Sequence, residues 1–211
     1  MSKKLLRDDI EYIVHCDRGG NVIGPISKEH AHLNGVRTQL THYSTWSMVY
    51  HWESGKYGIQ RKNPQMKDEF SAGRWDMGVA GHNCYVREGD SFRFLDFEEN
   101  LAKEAREEIG IDITMTKSQN EFIDLVHKTK TPSGFIFDKF LYKTEENNEW
   151  VGLGFIVVHD TTTEFIDNEV VDFQWLTLVE LAQFLKENNN ICSPLPLVFE
   201  KAEKFRTEIL K

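Results

Sequence analysis

Three glutamates are the residues of this chain whose type and spacing point most directly to chemistry. Positions i, i+3 and i+4 share one face of a helix, so Glu104, Glu107 and Glu108 point the same way within roughly 6 Å of one another. Like charges at that distance repel, and a hard divalent cation such as Mg²⁺ or Mn²⁺ among their oxygens relieves the repulsion. The spacing therefore predicts a metal site on a helix.

A solvated acidic face is the alternative interpretation of the same residues. Most charge runs lie on exposed helix faces, and Lys103 and Arg106 are available as pairing partners for the glutamates around them. Gly110 follows the run directly and favours a left-handed cap that ends the helix and directs the chain into a strand at residues 111–113.

Residues 103–111 resemble the second half of the Nudix box, G-x5-E-x7-R-E-U-x-E-E-x-G-U, in which U is an aliphatic residue. Ala105 and Ile111 take the U positions. Lys103 stands where the family has an arginine that orients a box glutamate through a forked contact, and a lysine cannot reproduce that contact. The resemblance therefore implies a metal site that is weaker or arranged differently.

The first half of the box departs from the family pattern. A strict count places Gly89 at the motif glycine but Leu95 at the motif glutamate. Residues 73–82 resemble the G-x-W-D…G-G-H entry of one branch, which makes Gly81 the motif glycine and residues 83–94 an insertion. Three nearby carboxylates are then the candidates to replace the missing one: Asp90, Asp96 and Glu98.

The motif order over residues 10–187 resembles the branch of isopentenyl diphosphate isomerases and their hydrolase relatives. That branch has an α/β (α+β) Nudix fold, with a mixed β-sheet sandwiched between α-helices. The matching segments are Val22-Ile23-Gly24, Gln60-Arg61-Lys62 with Lys67, Trp75…Gly81-His82, and Glu169 to Trp175.

The isomerases hold a second metal with histidines and glutamates and use a cysteine before Gly-His as a proton donor or acceptor. Here His82 and Glu149 match two of those ligands, and Ala80 replaces the cysteine. The neighbouring Cys84 is a poor substitute, so the resemblance favours hydrolysis over isomerisation. The other two histidine positions lie near His30 or His32 and near His42.

The resemblance implies metal-dependent hydrolysis of a diphosphate linkage in a nucleoside-diphosphate-X or a related organic pyrophosphate. It places Mg²⁺ or Mn²⁺ at four glutamates, namely Glu104, Glu107, Glu108 and Glu149. Either Glu107 or Glu108 is the expected catalytic base, and Arg61, Lys67 and His82 are expected to contact the substrate. A non-catalytic ligand-binding module and an isomerase-type activity are the two alternatives.

Composition agrees with one cytoplasmic domain that acts on small molecules. The chain has 211 residues, 40% of them hydrophobic, and the whole of 1–211 is predicted to be a single domain with an N-terminal hairpin extension at 1–35. A net charge of −9 argues against a nucleic-acid polymer or an anionic membrane as partner. Three cysteines without C-x-x-C spacing indicate reduced thiols, and residues 1–9 lack the apolar run of a signal peptide.

Periodicity predicts strands and helices in alternation. Strand hairpins are expected at residues 12–23, 44–60 and 121–142, with further strands at 150–158 and 172–175. Helices are expected at 97–109 and 178–187, and, after a break at Pro194 and Pro196, at 197–210 within a C-terminal region of 194–211. The last helix is amphipathic, which suits packing on the domain or in a homodimer.

Overall fold

The computed structural model describes residues 6–145 and 147–210. Residues 1–5, Glu146 and Lys211 lie outside the described residues. The ends of the predicted 1–211 domain, and part of the segment 1–9 predicted to lack a signal peptide, therefore fall outside the description.

Strands and short helices alternate along the described chain. The helices are α1 (Lys28–Ala31), α2 (Phe97–Ile109), α3 (Gln119–Lys128), α4 (Leu178–Glu187) and α5 (Leu195–Ile209). The strands are β1 (Tyr12–Cys16), β2 (Val22–Ser27), β3 (Thr41–His51), β4 (Lys56–Lys62), β5 (Trp75–Met77), β6 (Val79–His82), β7 (Tyr85–Glu88), β8 (Ser91–Phe94), β9 (Thr114–Thr116), β10 (Ser133–Lys143), β11 (Asn148–Val158) and β12 (Val170–Leu176).

Strand β3 is the centre of a mixed sheet. It runs parallel to β11 along one edge, and its other edge pairs antiparallel with β4 near its end and with β6 near its middle. The sheet continues outward as β12-β4-β3-β11-β10-β9, and β1 joins the start of β3. The N-terminal hairpin of β1 and β2 is therefore hydrogen-bonded into the sheet.

Alternating side chains on the central strands build a core on each face of the sheet. Met48 and Phe155 face one side, where they pack with α3, α4 and α5. Val49 and Ile156, the next residues along, face the other side and pack with α2. The mixed sheet is thus sandwiched between helices, as the sequence predicted.

Helix α2 begins and ends where the sequence predicts. Asp96 caps its first turn by accepting from the Glu99 backbone N–H at 2.8 Å, and the Glu99 side chain accepts from the Asp96 backbone N–H at 3.1 Å. Gly110 ends the helix in the left-handed region at φ 71°. Leu101 and Ala105 are fully buried and pack the helix against the sheet.

The hairpin predicted at residues 121–142 is wrong in its first half. Residues Gln119–Lys128 form α3, which Ser118 caps and which buries Phe122 and Val126, one helical turn apart. A strand would place Asp124 on the same face as these two residues, whereas the helix leaves Asp124 exposed. Helix α5 also starts earlier than predicted, since Pro196 lies in its first turn, where a missing N–H is tolerated.

The predicted insertion and the C-terminal helix have clear places in the fold. Residues 83–94 contain the two-stranded hairpin β7–β8 between His82 and α2. The apolar face of α5, carried by Val198, Ala202 and Phe205, packs into the core of the domain itself. No helix among the described residues is long and apolar enough to cross a membrane.

Candidate active site

A cavity of about 490 Å³ lies where α2 meets strands β6 and β11. Glu104 and Glu107 of α2, His82 of β6 and Glu149 of β11 all line it. Much of the remaining wall comes from α1, the segment between α1 and β3, and the long connection between β4 and β5. Other segments complete it, among them residues 167–169 and 192–194.

Strand register brings three histidines and a glutamate together beside this cavity. His42 of β3 is the direct neighbour of Glu149 in the parallel pair, and Ser44 of β3 lies opposite His82 of β6. His32, which follows α1, completes the cluster. One potential ligand atom from each histidine lies within 4.8 Å of the others, with ring centroids 4.9 to 5.9 Å apart.

Glu149 contacts two of the three histidines and a neighbouring serine. Its Oε1 lies 3.2 Å from His42 Nε2 and 3.7 Å from His82 Nε2, and accepts from the Ser44 hydroxyl at 2.9 Å. Burial opposes ionisation of this carboxyl, but the His42 and Ser44 hydrogen bonds outweigh it and lower its pKa. The cluster therefore includes a buried, charged carboxylate.

Two of the three histidines have a lowered pKa, which favours the neutral imidazole that binds a metal ion. Burial, followed by the neighbouring histidines, holds the pKa of His82 well below its usual range, and burial with the Arg37 charge lowers the pKa of His32 to about 4. His32 Nε2 and His42 Nδ1 are buried and make no hydrogen bond within the described part of the chain. Three imidazoles and one carboxylate fit a transition metal ion such as Mn²⁺ or Zn²⁺ better than Mg²⁺.

Glu104 and Glu107 form a second polar wall of the cavity. Glu104 is buried and packs directly on Gly81, where a Cβ would overlap the Glu104 carboxyl carbon. Lys103 Nζ lies 3.2 Å from Glu104 and 2.5 Å from Glu107. Burial raises the pKa of Glu104, and the Lys103 charge opposes that rise. Lys103 thus contacts two box glutamates as a point charge.

Glu108 points away from the cavity and into the sheet. Its carboxylate accepts from Gln60 Nε2 at 3.1 Å, from the Ala80 backbone N–H at 2.9 Å and from the Lys62 ammonium. The three glutamates thus diverge because α2 lies flat on the sheet and turns Glu108 inward. Among the described residues, the three histidines converge closely enough to hold one ion, whereas Glu108 faces away from the cavity that Glu104 and Glu107 line.

The cations that line the cavity differ from the two that the sequence predicted. Arg61 is exposed and donates to the Gly73 carbonyl at 3.3 Å, and Lys67 is also exposed. Neither lines the cavity. The cations that do are Lys28, Arg37, Lys62, Arg74 and Lys103. Arg74 precedes the W-D of the box entry, and that position was the available sequence signal.

None of the proposed replacements for the missing box carboxylate reaches the cavity. Asp96 is the cap of α2, Asp90 is exposed in the turn of the β7–β8 hairpin, and Glu98 lies outside the lining. Cys84 is buried and does not line the cavity either. The further carboxylates in the lining come from other segments: Glu11, Asp68, Asp76, Asp167 and Glu169.

Arg37 and Asp68 close the cavity wall next to the histidines. Arg37 donates to both Asp68 oxygens, at 2.8 and 3.4 Å, and its guanidinium carbon lies 4.5 Å from the centre of the Phe70 ring. Since Arg37 precedes β3 and Asp68 follows β4, this forked pair joins two long connections.

Comparison with known proteins supports the fold. No protein-family model and no curated protein matches the sequence. DR0079 from Deinococcus radiodurans is similar over 91% of this chain and 99% of its own, with 18% identity and a TM-score of 0.61. The MutT protein from Methanosarcina mazei Go1 is similar over 78% of this chain and 94% of its own, with 16% identity and a TM-score of 0.50. The chain has the Nudix fold that the sequence predicted.

Proposed function

We propose that this chain is a metal-dependent hydrolase that cleaves a diphosphate linkage in a nucleoside-diphosphate-X or a related organic pyrophosphate. The observation that carries the proposal is the convergence of three kinds of group on one cavity. These are a histidine cluster with a buried carboxylate, two further glutamates, and several cations. Phosphoryl transfer to water uses a bound metal ion, a group that deprotonates or orients the water, and cations that neutralise phosphate charge.

The histidine cluster is the proposed metal centre. His32, His42, His82 and Glu149 would hold the ion, so His82 has a metal-binding role here as well as its predicted contact with substrate. When bound, the ion would neutralise charge on the phosphoryl oxygens and lower the pKa of a water molecule. Ser44 keeps Glu149 in place through its hydroxyl.

Glu107 is the proposed base that accepts the proton of the attacking water. Its side chain is 41% exposed and lines the cavity, whereas Glu108 lies beneath the cavity wall. Lys103 pairs with Glu107 at 2.5 Å and holds its carboxylate at the cavity wall. Glu104 lines the same cavity and packs on Gly81, next to His82, where it would add negative charge for a substrate-bound cation.

Arg74 and Lys62 are the proposed contacts for the diphosphate oxygens. Both line the cavity, and Arg74 makes no ion pair with a described residue. Charge-assisted hydrogen bonds from guanidinium and ammonium groups suit phosphate oxygens. They would also stabilise the charge that develops on the leaving phosphate.

An isomerase acting on an allylic diphosphate is the second candidate, and the histidine cluster favours it because that branch holds a metal in this way. Ala80 opposes it, because a methyl group now faces the cavity where the branch has its thiol. A side chain without a proton to exchange cannot supply the acid or base step of isomerisation.

The test is a turnover assay with Mn²⁺ or Mg²⁺ on nucleoside diphosphate sugars, dinucleotides, nucleoside triphosphates, thiamine diphosphate and isopentenyl diphosphate. We expect phosphate or monophosphate release that Glu107→Gln lowers by about 10²–10⁴-fold, the usual contribution of a general base. Glu98→Gln is the matched control because it removes a carboxylate from the same helix outside the cavity. Equal rates for both variants would contradict the assignment of Glu107. An allylic product would favour the isomerase.

A further inference from the structure

Lys62 lies between the cavity and the buried Glu108. It is the last residue of β4, is 4% exposed, and still reaches the cavity lining. Its ammonium forms an ion pair with Glu108 and donates to the Ala80 carbonyl at 3.4 Å. Glu108 is fully buried and does not line the cavity. The lysine therefore separates this box glutamate from any ligand in the cavity.

The hydrogen bonds of Glu108 are satisfied by the protein itself. Gln60 and the Ala80 backbone N–H both donate to Oε2, and Lys62 donates to Oε1. Burial alone would lower the pKa of Lys62, but the charges of Glu108 and the buried Asp76 outweigh burial and raise it. A metal ion at Glu108 would have to displace an ammonium and disrupt a buried, hydrogen-bonded pair.

We propose that the Lys62 ammonium takes the place of a metal ion at Glu108, so that divalent metal binds this protein without Glu108 as a ligand. Lys62 is then a built-in cation, held by Glu108 and presented to the cavity. Glu108 acts through Lys62 and is a positioning residue. The contact between the Lys62 ammonium and a substrate phosphate rests on the proposed function. The statement that Glu108 is not a metal ligand does not depend on that function.

The test is a Mn²⁺ titration of the substrate-free protein by calorimetry, with bound metal counted after gel filtration. Glu108→Gln keeps an acceptor for Gln60 and Ala80, and we expect it to bind Mn²⁺ with unchanged stoichiometry and with an affinity changed by less than about tenfold. A loss of one equivalent, or a weakening of about tenfold or more, would show that Glu108 is a ligand and overturn the proposal.

Removing the lysine provides the complementary measurement. Lys62→Ala leaves the Glu108 carboxylate without its cation and opens a path to it, so we expect one additional Mn²⁺ equivalent. Lys62→Arg is the matched control, because it keeps a cation at this position and should gain no equivalent. Unchanged Mn²⁺ stoichiometry in folded Lys62→Ala would contradict the proposal.

Folding is controlled separately, because an unpaired buried carboxylate destabilises a protein by about 3–5 kcal/mol. If Lys62→Ala does not fold, the Glu108→Gln titration decides the question alone. None of these readouts involves turnover. A protein that hydrolyses nothing on the substrate panel but binds Mn²⁺ equally with and without Glu108 would refute the proposed function and leave this inference intact.

Discussion

At the scale of single residues, Gly81 leaves the space that the Glu104 carboxylate occupies at the cavity wall. Gly81 lies on β6 directly beneath Glu104, and a Cβ at this position would overlap the carboxyl carbon. The Nudix box has a glycine at this position. In the structure, a glycine is needed here because the strand and α2 pack closely together. The sequence identified this glycine, but not which side chain requires it.

Gly81→Ala should therefore displace Glu104 and destabilise the protein. We expect the free energy of unfolding in urea to fall by about 1–3 kcal/mol, as for other substitutions that overfill a packed site. Gly19→Ala is the matched control, because its Cβ would meet only two side-chain atoms at 3.3 Å. Equal stability of the two variants would show that Glu104 moves aside without loss.

The residues of the proposed metal centre could be found from the sequence only in part. His82 and Glu149 were identified by their motif positions, but His32 was left as an alternative to His30. The choice depends on how α1 and the following turn direct the chain, and on the register that sets His42 beside Glu149. Register over a separation of more than a hundred residues is a tertiary property that local pattern does not encode.

At the scale of elements, Gly110 ends α2 and allows a distant segment of the chain to pack against the last turn of the helix. Gly110 ends the helix at φ 71°, and the Glu164 backbone N–H then donates to the Ile109 carbonyl at 3.0 Å. The chain after β11 is thereby tied to the last turn of α2. A residue with a side chain at position 110 meets both backbone strain and this neighbouring segment.

Gly110→Ala should destabilise the protein more than Gly89→Ala. Both glycines have positive φ, 71° and 60°, but only at position 110 would the Cβ meet a backbone oxygen, that of Glu164, at 2.7 Å. Strain alone accounts for about 1–2 kcal/mol, so the excess at Gly110 reports the clash. Urea denaturation of both variants measures this difference in the free energy of unfolding. Equal decreases in the two variants would mean that the segment around Glu164 moves away without an energetic cost.

The elements themselves were largely predictable, although the strand predicted at residues 111–113 lies at Thr114–Thr116 and one helix was predicted as a strand. Helix α2 has a sharp N-cap and a glycine stop, and its predicted bounds match the structure. Helix α3 was predicted as a strand because its short apolar pattern lies next to a real strand, β10. Its cap at Ser118, and the polar Asp124 between Phe122 and Val126, were the overlooked signals.

At the scale of the whole molecule, the cavity is assembled from segments that are far apart in the chain. Arg37 and Asp68 join two of them, with side chains only 10% and 19% exposed. Burial would raise the pKa of Asp68, but the hydrogen bond and charge of Arg37 outweigh it and lower the pKa below 3.8. Because the folded state then favours the charged carboxylate, the pair stabilises the protein above that pH.

Arg37→Gln should lower the free energy of unfolding by about 1–3 kcal/mol at pH 7, because it leaves the partly buried Asp68 without its donor. The contribution is lost as the pH falls through the lowered pKa of Asp68, so the difference between wild type and variant should shrink below about pH 4. Urea denaturation at a series of pH values measures this. A difference that is constant from pH 7 to pH 3 would show that Arg37 stabilises by packing on Phe70 and not by charge.

Metal removal tests the central claim most directly. The measurement is the rate of phosphate or monophosphate release from the best substrate of the panel by chelator-treated protein, as Mn²⁺ or Mg²⁺ is added back. We predict no release without metal and a saturable return of activity as metal fills the histidine cluster. Release at the full rate in excess chelator, or no release from any substrate at saturating metal, would contradict the account.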